Sequence, residues 1–172
     1  MRKLALTIVA LVVLCSCTTK KAALAPSKGA PDFDLENIRG GKTKAVDLKG
    51  KVAVVDFWAT WCDPCKAEVP HFNKLAEAYK GKDVQVVGIA IESPHDDIAP
   101  TMKQVGINYM VLVGNDQVVD GFGGVIGYPT TYIVTKDWKI YKKYLGALPD
   151  KEDRIRKDID KLLAEDNARS TD

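Results

Sequence analysis

Val52-Ala53-Val54-Val55-Asp56-Phe57-Trp58-Ala59-Thr60-Trp61-Cys62-Asp63-Pro64-Cys65-Lys66-Ala67-Glu68-Val69-Pro70 decides how this chain folds. Val52 to Phe57 is a nearly continuous apolar run, the pattern of a strand buried on both faces. A short loop follows, and a helix is expected to begin near Cys62. Pro64 suits the first turn of that helix, where its missing N–H leaves no hydrogen bond unmade. Cys62 then stands at the positive end of the helix dipole, beside backbone N–H groups with no partner in the helix. Both effects favour thiolate over thiol. Cys65, one turn deeper, is close enough to close a small disulfide ring with Cys62.

The helix carries a second signal. Cys65, Glu68, Val69, Phe72, Leu75, Ala76 and Tyr79 fall at i, i+3, i+4, i+7, i+10, i+11 and i+14, one apolar face. Glu68 is the only charge on that stripe, so a half-buried carboxylate with a raised pKa is expected one turn from Cys65. Asp56, inside the apolar strand, is expected to titrate high as well, because a buried carboxylate without a partner costs several kcal/mol unless it neutralises (order of magnitude). Two such acids beside a dithiol form a proton-transfer set, since Cys65 must lose a proton before it can attack a mixed disulfide. Pro70, inside the helix, removes one backbone hydrogen bond and is expected to kink it.

Outward from this segment the chain reads as one α/β domain, with strands alternating with helices. Pro31 to Asp47, broken by Arg39-Gly40-Gly41, reads as an N-terminal hairpin. Val84 to Ile91 is a second buried strand, Asp96 to Val105 a helix and Met110 to Val113 a short strand. Gln117 to Phe122 reads as a helical turn. Thr130 to Val134 and Ile140 to Leu145 are strands joined by a turn at Lys136-Asp137-Trp138-Lys139. Pro149-Asp150 opens a last helix, with Ile155, Ile159, Leu162 and Leu163 on one face, and residues 166–172 read as a polar tail.

The 172 residues are 46% hydrophobic and 28% charged, which excludes a disordered or collagen-like chain; four cysteines are too few for a disulfide-dense mini-domain. There are 25 Lys and Arg against 23 Asp and Glu, and Arg2 and Lys3, with no acid among residues 1–16, account for the excess. The remainder is neutral, so bulk charge gives it no reason to bind nucleic acid or an anionic membrane.

Met1-Arg2-Lys3 and the 11-residue apolar stretch Leu4 to Leu14 read as a secretory signal, too short to span a bilayer, which takes about 20 residues. Leu14-Cys15-Ser16-Cys17 resembles the lipobox of bacterial lipoproteins. That resemblance implies residues 1–16 as signal peptide, a lipid on Cys17, and a tether over residues 17–30; plain secretion with Cys17 unmodified, or a retained signal anchor, are the alternatives.

Trp-Cys-x-Pro-Cys after a strand, with Gly127-Tyr128-Pro129-Thr130 about sixty residues later, resembles the thioredoxin fold. The longer pattern of Cys62, Pro64, Cys65, Glu68 and Pro70 is more specific. With the signal, the N-terminal hairpin and the helix-strand segment inserted before Pro129, it resembles the membrane-anchored thiol–disulfide oxidoreductases of the TlpA/ResA type over residues 31–165. The resemblance implies a mixed central sheet flanked by helices, Cys62 as attacking thiol, Cys65 as resolving thiol, Glu68 as the acid that tunes the pair, and a cis Pro129 shaping the substrate groove. Trp61, Pro64 and Tyr128 join that groove, although an aromatic at 128 is equally suited to packing. Asp56 matches the buried aspartate of ordinary thioredoxins, so either acid can shuttle the proton. Asp63, between the cysteines, is expected to oppose the Cys62 thiolate.

The implied activity is reduction of protein disulfides outside the cytoplasm, with no cofactor beyond the Cys62–Cys65 disulfide. Implied partners are apocytochrome c as substrate and a membrane thiol reductant of the DsbD/CcdA type. Other chemistries fit less well. A zinc site lacks a second half-site, since only Cys17, His71 and His95 remain in the mature chain. Haem attachment needs a His where Lys66 stands. A thiol peroxidase needs Thr-x-x-Cys, and Ala59 and Cys62 occupy the Thr places. A copper-binding module uses Cys-x-x-x-Cys, and the spacing here is one residue short.

Overall fold

The structure, a computed structural model, describes residues 28–170. A hairpin of β1 (Asp34–Glu36) and β2 (Lys42–Lys44) leads through a 3-10 turn at Ala45–Leu48 into β3 (Val52–Trp58). Then follow α1 (Asp63–Ala78), β4 (Val84–Ala90), α2 (His95–Val105), β5 (Met110–Val113), α3 (Asp116–Gly121), β6 (Thr130–Val134), β7 (Ile140–Leu145) and α4 (Lys151–Ser170). The main sheet runs β5-β4-β3-β6-β7, with β3, β4 and β5 parallel and β6 and β7 antiparallel additions. This is a thioredoxin-like mixed sheet flanked by helices.

Every residue of β3 is buried, as its apolar run requires of a central strand. The pleat sorts its side chains into two cores. Val52, Val54 and Trp58 join Val69, Phe72 and Leu75 of α1, Ile98 of α2, and Ile155 and Ile159 of α4. Ala53, Val55 and Phe57 join Leu35, Leu48, Val118, Phe122 and Trp138 on the opposite side. Fully burying a Leu or Phe contributes about 1.5–3 kcal/mol, so these stripes hold α1 and α4 to one face. Asp56 shares the parity of Val54 and Trp58 and so points toward that helical layer.

Two boundaries differ from the sequence reading. Lys28, Gly29 and Ala30 belong to the domain rather than to the tether: Ala30 N–H donates to the Trp138 carbonyl at 3.0 Å and Ile140 N–H to the Lys28 carbonyl at 3.0 Å. Composition cannot reveal such backbone pairing. At the other end α4 continues to Ser170, so residues 166–170 are helical rather than a tail; the polar residues 167–169 are exposed, and a helix tolerates that. Helix α1 runs through Pro70 as one element, with the proline inside it as expected. Pro70 is exposed, so water can reach the carbonyl of Lys66 that the missing N–H leaves free.

Candidate active site

Cys62 is the N-cap of α1, and its Sγ accepts a hydrogen bond from the Cys65 backbone N–H at 3.2 Å. Pro64 occupies the second helical position. Cys62 and Cys65 are joined as a disulfide and both residues are almost fully buried. They differ in outlook. A groove of about 560 Å³ is lined by Trp61, Cys62, Asp63, Pro64, Val125, Ile126 and Tyr128, while Cys65 takes no part in it. Asp63 is 91% exposed and ion-paired with Lys66 at 3.1 Å, so part of its charge is already answered.

On the inner side, Asp56 is buried and its Oδ1 accepts a 2.7 Å hydrogen bond from the Thr131 hydroxyl on β6. Burial raises its pKa to about 7, against the lowering effects of the Lys151 charge and the Thr131 hydrogen bond, with Glu68 adding to the rise. Glu68 is 7% exposed, more deeply buried than the half-buried position expected, and it is not a lone acid. Its Oε2 lies 2.8 Å from Nζ of Lys151, itself 3% exposed, at the start of α4. Removing one partner of such a buried pair costs about 3–5 kcal/mol, because it strands the other charge. The site therefore holds two carboxylates and one ammonium on the face of the sheet that packs against α1.

The groove wall comes from the loop before β6. The Tyr128–Pro129 bond is cis. Trp61 is 58% exposed; its indole N–H donates to the Glu92 carbonyl at 2.9 Å, and its ring meets Tyr128 edge-on at 5.7 Å. Tyr128 is partly buried, and burial, then the Glu92 carboxylate, pushes its hydroxyl up to about 12. The aromatic at 128 thus packs against Trp61 and lines the groove at once. Ser93 supports the loop before Cys62, its hydroxyl accepting from the Thr60 N–H and donating to the Ile91 carbonyl.

The AhpC/TSA family pattern matches residues 26–143. Thiol-disulfide oxidoreductase ResA of Bacillus thuringiensis strain Al Hakam is 36% identical over 121 residues, 69% of each chain. ResA of Geobacillus thermodenitrificans is 32% identical over 136 residues, covering 78% of this chain and 77% of the relative. The chain belongs to the AhpC/TSA family and to the ResA-type thiol–disulfide oxidoreductases. A Chlorobium tepidum crystal structure described as a thiol:disulfide interchange protein DsbE is similar in fold, with a TM-score of 0.74 and 30% identity over 80% of this chain and 96% of that one.

The ResA-type assignment fits the residues before the disulfide. Ala59 is buried and offers no hydroxyl where a peroxidase Thr-x-x-Cys would need one for Cys62. Disulfide-containing proteins are the substrate class of such an oxidoreductase. His71 and His95 lie away from the dithiol groove, paired with Glu152 at 2.7 Å and Glu36 at 2.9 Å. Cys17 and residues 1–16 lie outside the described residues.

Four residues of this ResA-type site escaped the sequence reading: Lys151, Glu92, Ser93 and Ile126. For Lys151 a signal existed, because it stands four residues before Ile155 on the apolar stripe of α4. That is the same anomaly that singled out Glu68. Glu92 has φ +48, an uncommon backbone state for a residue other than glycine, and nothing in its sequence context announces it. Ile126, 83% exposed at the groove, looked like an ordinary loop residue.

Proposed function

We propose that the chain reduces protein disulfides outside the cytoplasm, with Cys62 as attacking thiol and Cys65 as resolving thiol. The reading is carried by one observation: of the two sulfur-bearing residues, Cys62 lines the groove and Cys65 does not. In the reduced state the Cys62 thiolate attacks a substrate disulfide and forms a mixed disulfide, and the displaced sulfur leaves as a thiolate and takes up a proton. Cys65 then gives its proton to a base and attacks the Cys62 sulfur. The Cys62–Cys65 bond forms, the mixed disulfide breaks, and the substrate departs carrying two more electrons.

Asp56 is the base in this scheme. Among the described residues it has no cation in direct contact, and its pKa of about 7 suits proton transfer at neutral pH. Glu68, held by Lys151, is the tuning acid. Trp61, Pro64, Tyr128 and Pro129 form the substrate-binding wall. The cycle needs no cofactor beyond the disulfide.

Residues 1–16 act as an export signal, and Cys17 carries a lipid that holds the domain at a membrane. Several acyl chains, at about 0.8 kcal/mol per buried CH₂, make such an anchor stable. Among the described residues no helix is long and apolar enough to cross a membrane. An oxidising compartment requires a reductant, assigned here to a membrane thiol protein of the DsbD/CcdA type. The substrate assigned is apocytochrome c, whose Cys-x-x-Cys-His must be reduced before haem attachment.

Insulin reduction, peroxide consumption and metal content of the purified protein test this together. Insulin turnover with neither peroxide consumption nor stoichiometric metal is expected; peroxide turnover without insulin reduction contradicts it. A reduction potential near −270 mV is expected for a reductant, whereas a value near −120 mV marks an oxidant (both approximate).

A further inference from the structure

We propose that Lys151 is a positioning residue of the dithiol site: its buried ammonium engages Glu68 as an ion-pair partner, so that Asp56 is left to exchange the proton that accompanies disulfide chemistry. The proposal rests on the reading of Asp56 as the base. Four observations place Lys151 in this role. Its Nζ lies 2.8 Å from Glu68 Oε2. It is 3% exposed, rare for a lysine, whose burial ordinarily requires a partner. It also donates to the Gly146 carbonyl at 3.3 Å, which ties it to the β7–α4 loop, and it lies over the Phe72 ring at 5.6 Å. Finally, a cavity of about 310 Å³ between α1 and α4 has Pro64, Glu68 and Lys151 in its walls and the exposed His71 and Leu148 at its rim. The ion pair thus stands between the dithiol helix and a path to solvent.

The charges around Lys151 explain why one ammonium serves two acids. Glu68 on α1 faces it directly. Asp56 on β3 feels its charge without touching it, and Asp56 in turn is hydrogen-bonded by Thr131 on β6. Tyr109, ahead of β5, senses both carboxylates, and its own ionisation is pushed well up, chiefly by burial. His71 of α1 and Glu152 of α4 pair with each other at the cavity rim. Lys151 is the single cation facing the two buried acids among these groups. Without it, Asp56 holds its proton more tightly and Glu68 becomes free to compete for the proton of Cys65.

The pH profile of single-turnover insulin reduction tests this, measured on the wild type, Lys151→Met, Lys151→Arg and Asp56→Asn. Lys151→Met is expected to move the inflection upward by about one pH unit, the size of effect an opposite charge exerts nearby. Lys151→Arg keeps the charge and is expected to stay near the wild-type inflection. Lys151→Met/Glu68→Gln removes both charges and keeps the test open if the single variant does not fold; a smaller upward shift is expected there. An inflection that vanishes in Asp56→Asn yet stays fixed in folded Lys151→Met, or in the double variant, overturns the role of Lys151 alone. An inflection that survives Asp56→Asn overturns the reading of Asp56 and the proposal with it.

Discussion

Asp56 and Thr131 face each other across β3 and β6 as register partners, and the Thr131 hydroxyl donates to the Asp56 carboxylate at 2.7 Å. One neutral hydrogen bond does not repay the burial of a charge, so the acid retains its proton up to about pH 7.

This has a stability consequence with a definite sign. The folded state binds the Asp56 proton more tightly than the unfolded state, whose pKa is near 3.8. Folded protein is therefore favoured most below pH 4, as far as this group is concerned, and loses that advantage as pH rises toward 7, after which the loss is complete. Asp56→Asn removes the titration. Urea denaturation at pH 8 is expected to show Asp56→Asn more stable than the wild type by about 2–4 kcal/mol, with the difference shrinking toward pH 4. Equal stabilities at pH 8 would mean that Asp56 ionises at no cost.

Trp61 keeps 58% of its surface exposed while its N–H and one ring edge are already engaged. Such a fixed aromatic beside Cys62 is suited to substrate contact. Trp61→Ala is expected to lower kcat/KM for a protein disulfide about three- to tenfold, in line with about 0.5–1.5 kcal/mol for an aromatic contact. A small disulfide such as oxidised glutathione should be less affected, and equal losses for both would point to a damaged dithiol instead.

Asp63 sits at the first position of α1 beside Cys62, but the partly exposed Lys66 answers its charge and Asp63 itself is exposed. Its influence on the thiolate is therefore modest. In Asp63→Gly the pKa of the reduced Cys62 thiol is expected to fall by a few tenths of a unit, since surface charges act through high dielectric. The pH dependence of iodoacetamide alkylation measures it, and an unchanged or raised value contradicts the opposing role.

The sequence was most informative where one local pattern decided one local structure. The apolar run at Val52 to Phe57 and the Cys62-Asp63-Pro64-Cys65 helix start left little choice, because burial and helix capping are local matters. Glu68 stood out as a charge on an apolar stripe. Its partner did not, because Lys151 lies 83 residues away, and only the docking of α4 on α1 brings the charges together. Lys28 to Ala30 escaped for a related reason, since their pairing with Trp138 and Ile140 is written in backbone atoms. Glu92 owes its place to a bend after β4 with φ +48, and no side-chain pattern encodes that bend.

The central claim is that electrons leave through a mixed disulfide on Cys62 that Cys65 resolves. Peptide mapping by mass spectrometry of Cys65→Ser, reduced and then incubated with insulin, tests it most directly. The account predicts a covalent adduct on Cys62 that dithiothreitol releases and that is missing from Cys62→Ser/Cys65→Ser. An unmodified Cys62, or an adduct mapped to another cysteine with undiminished insulin reduction, would contradict it.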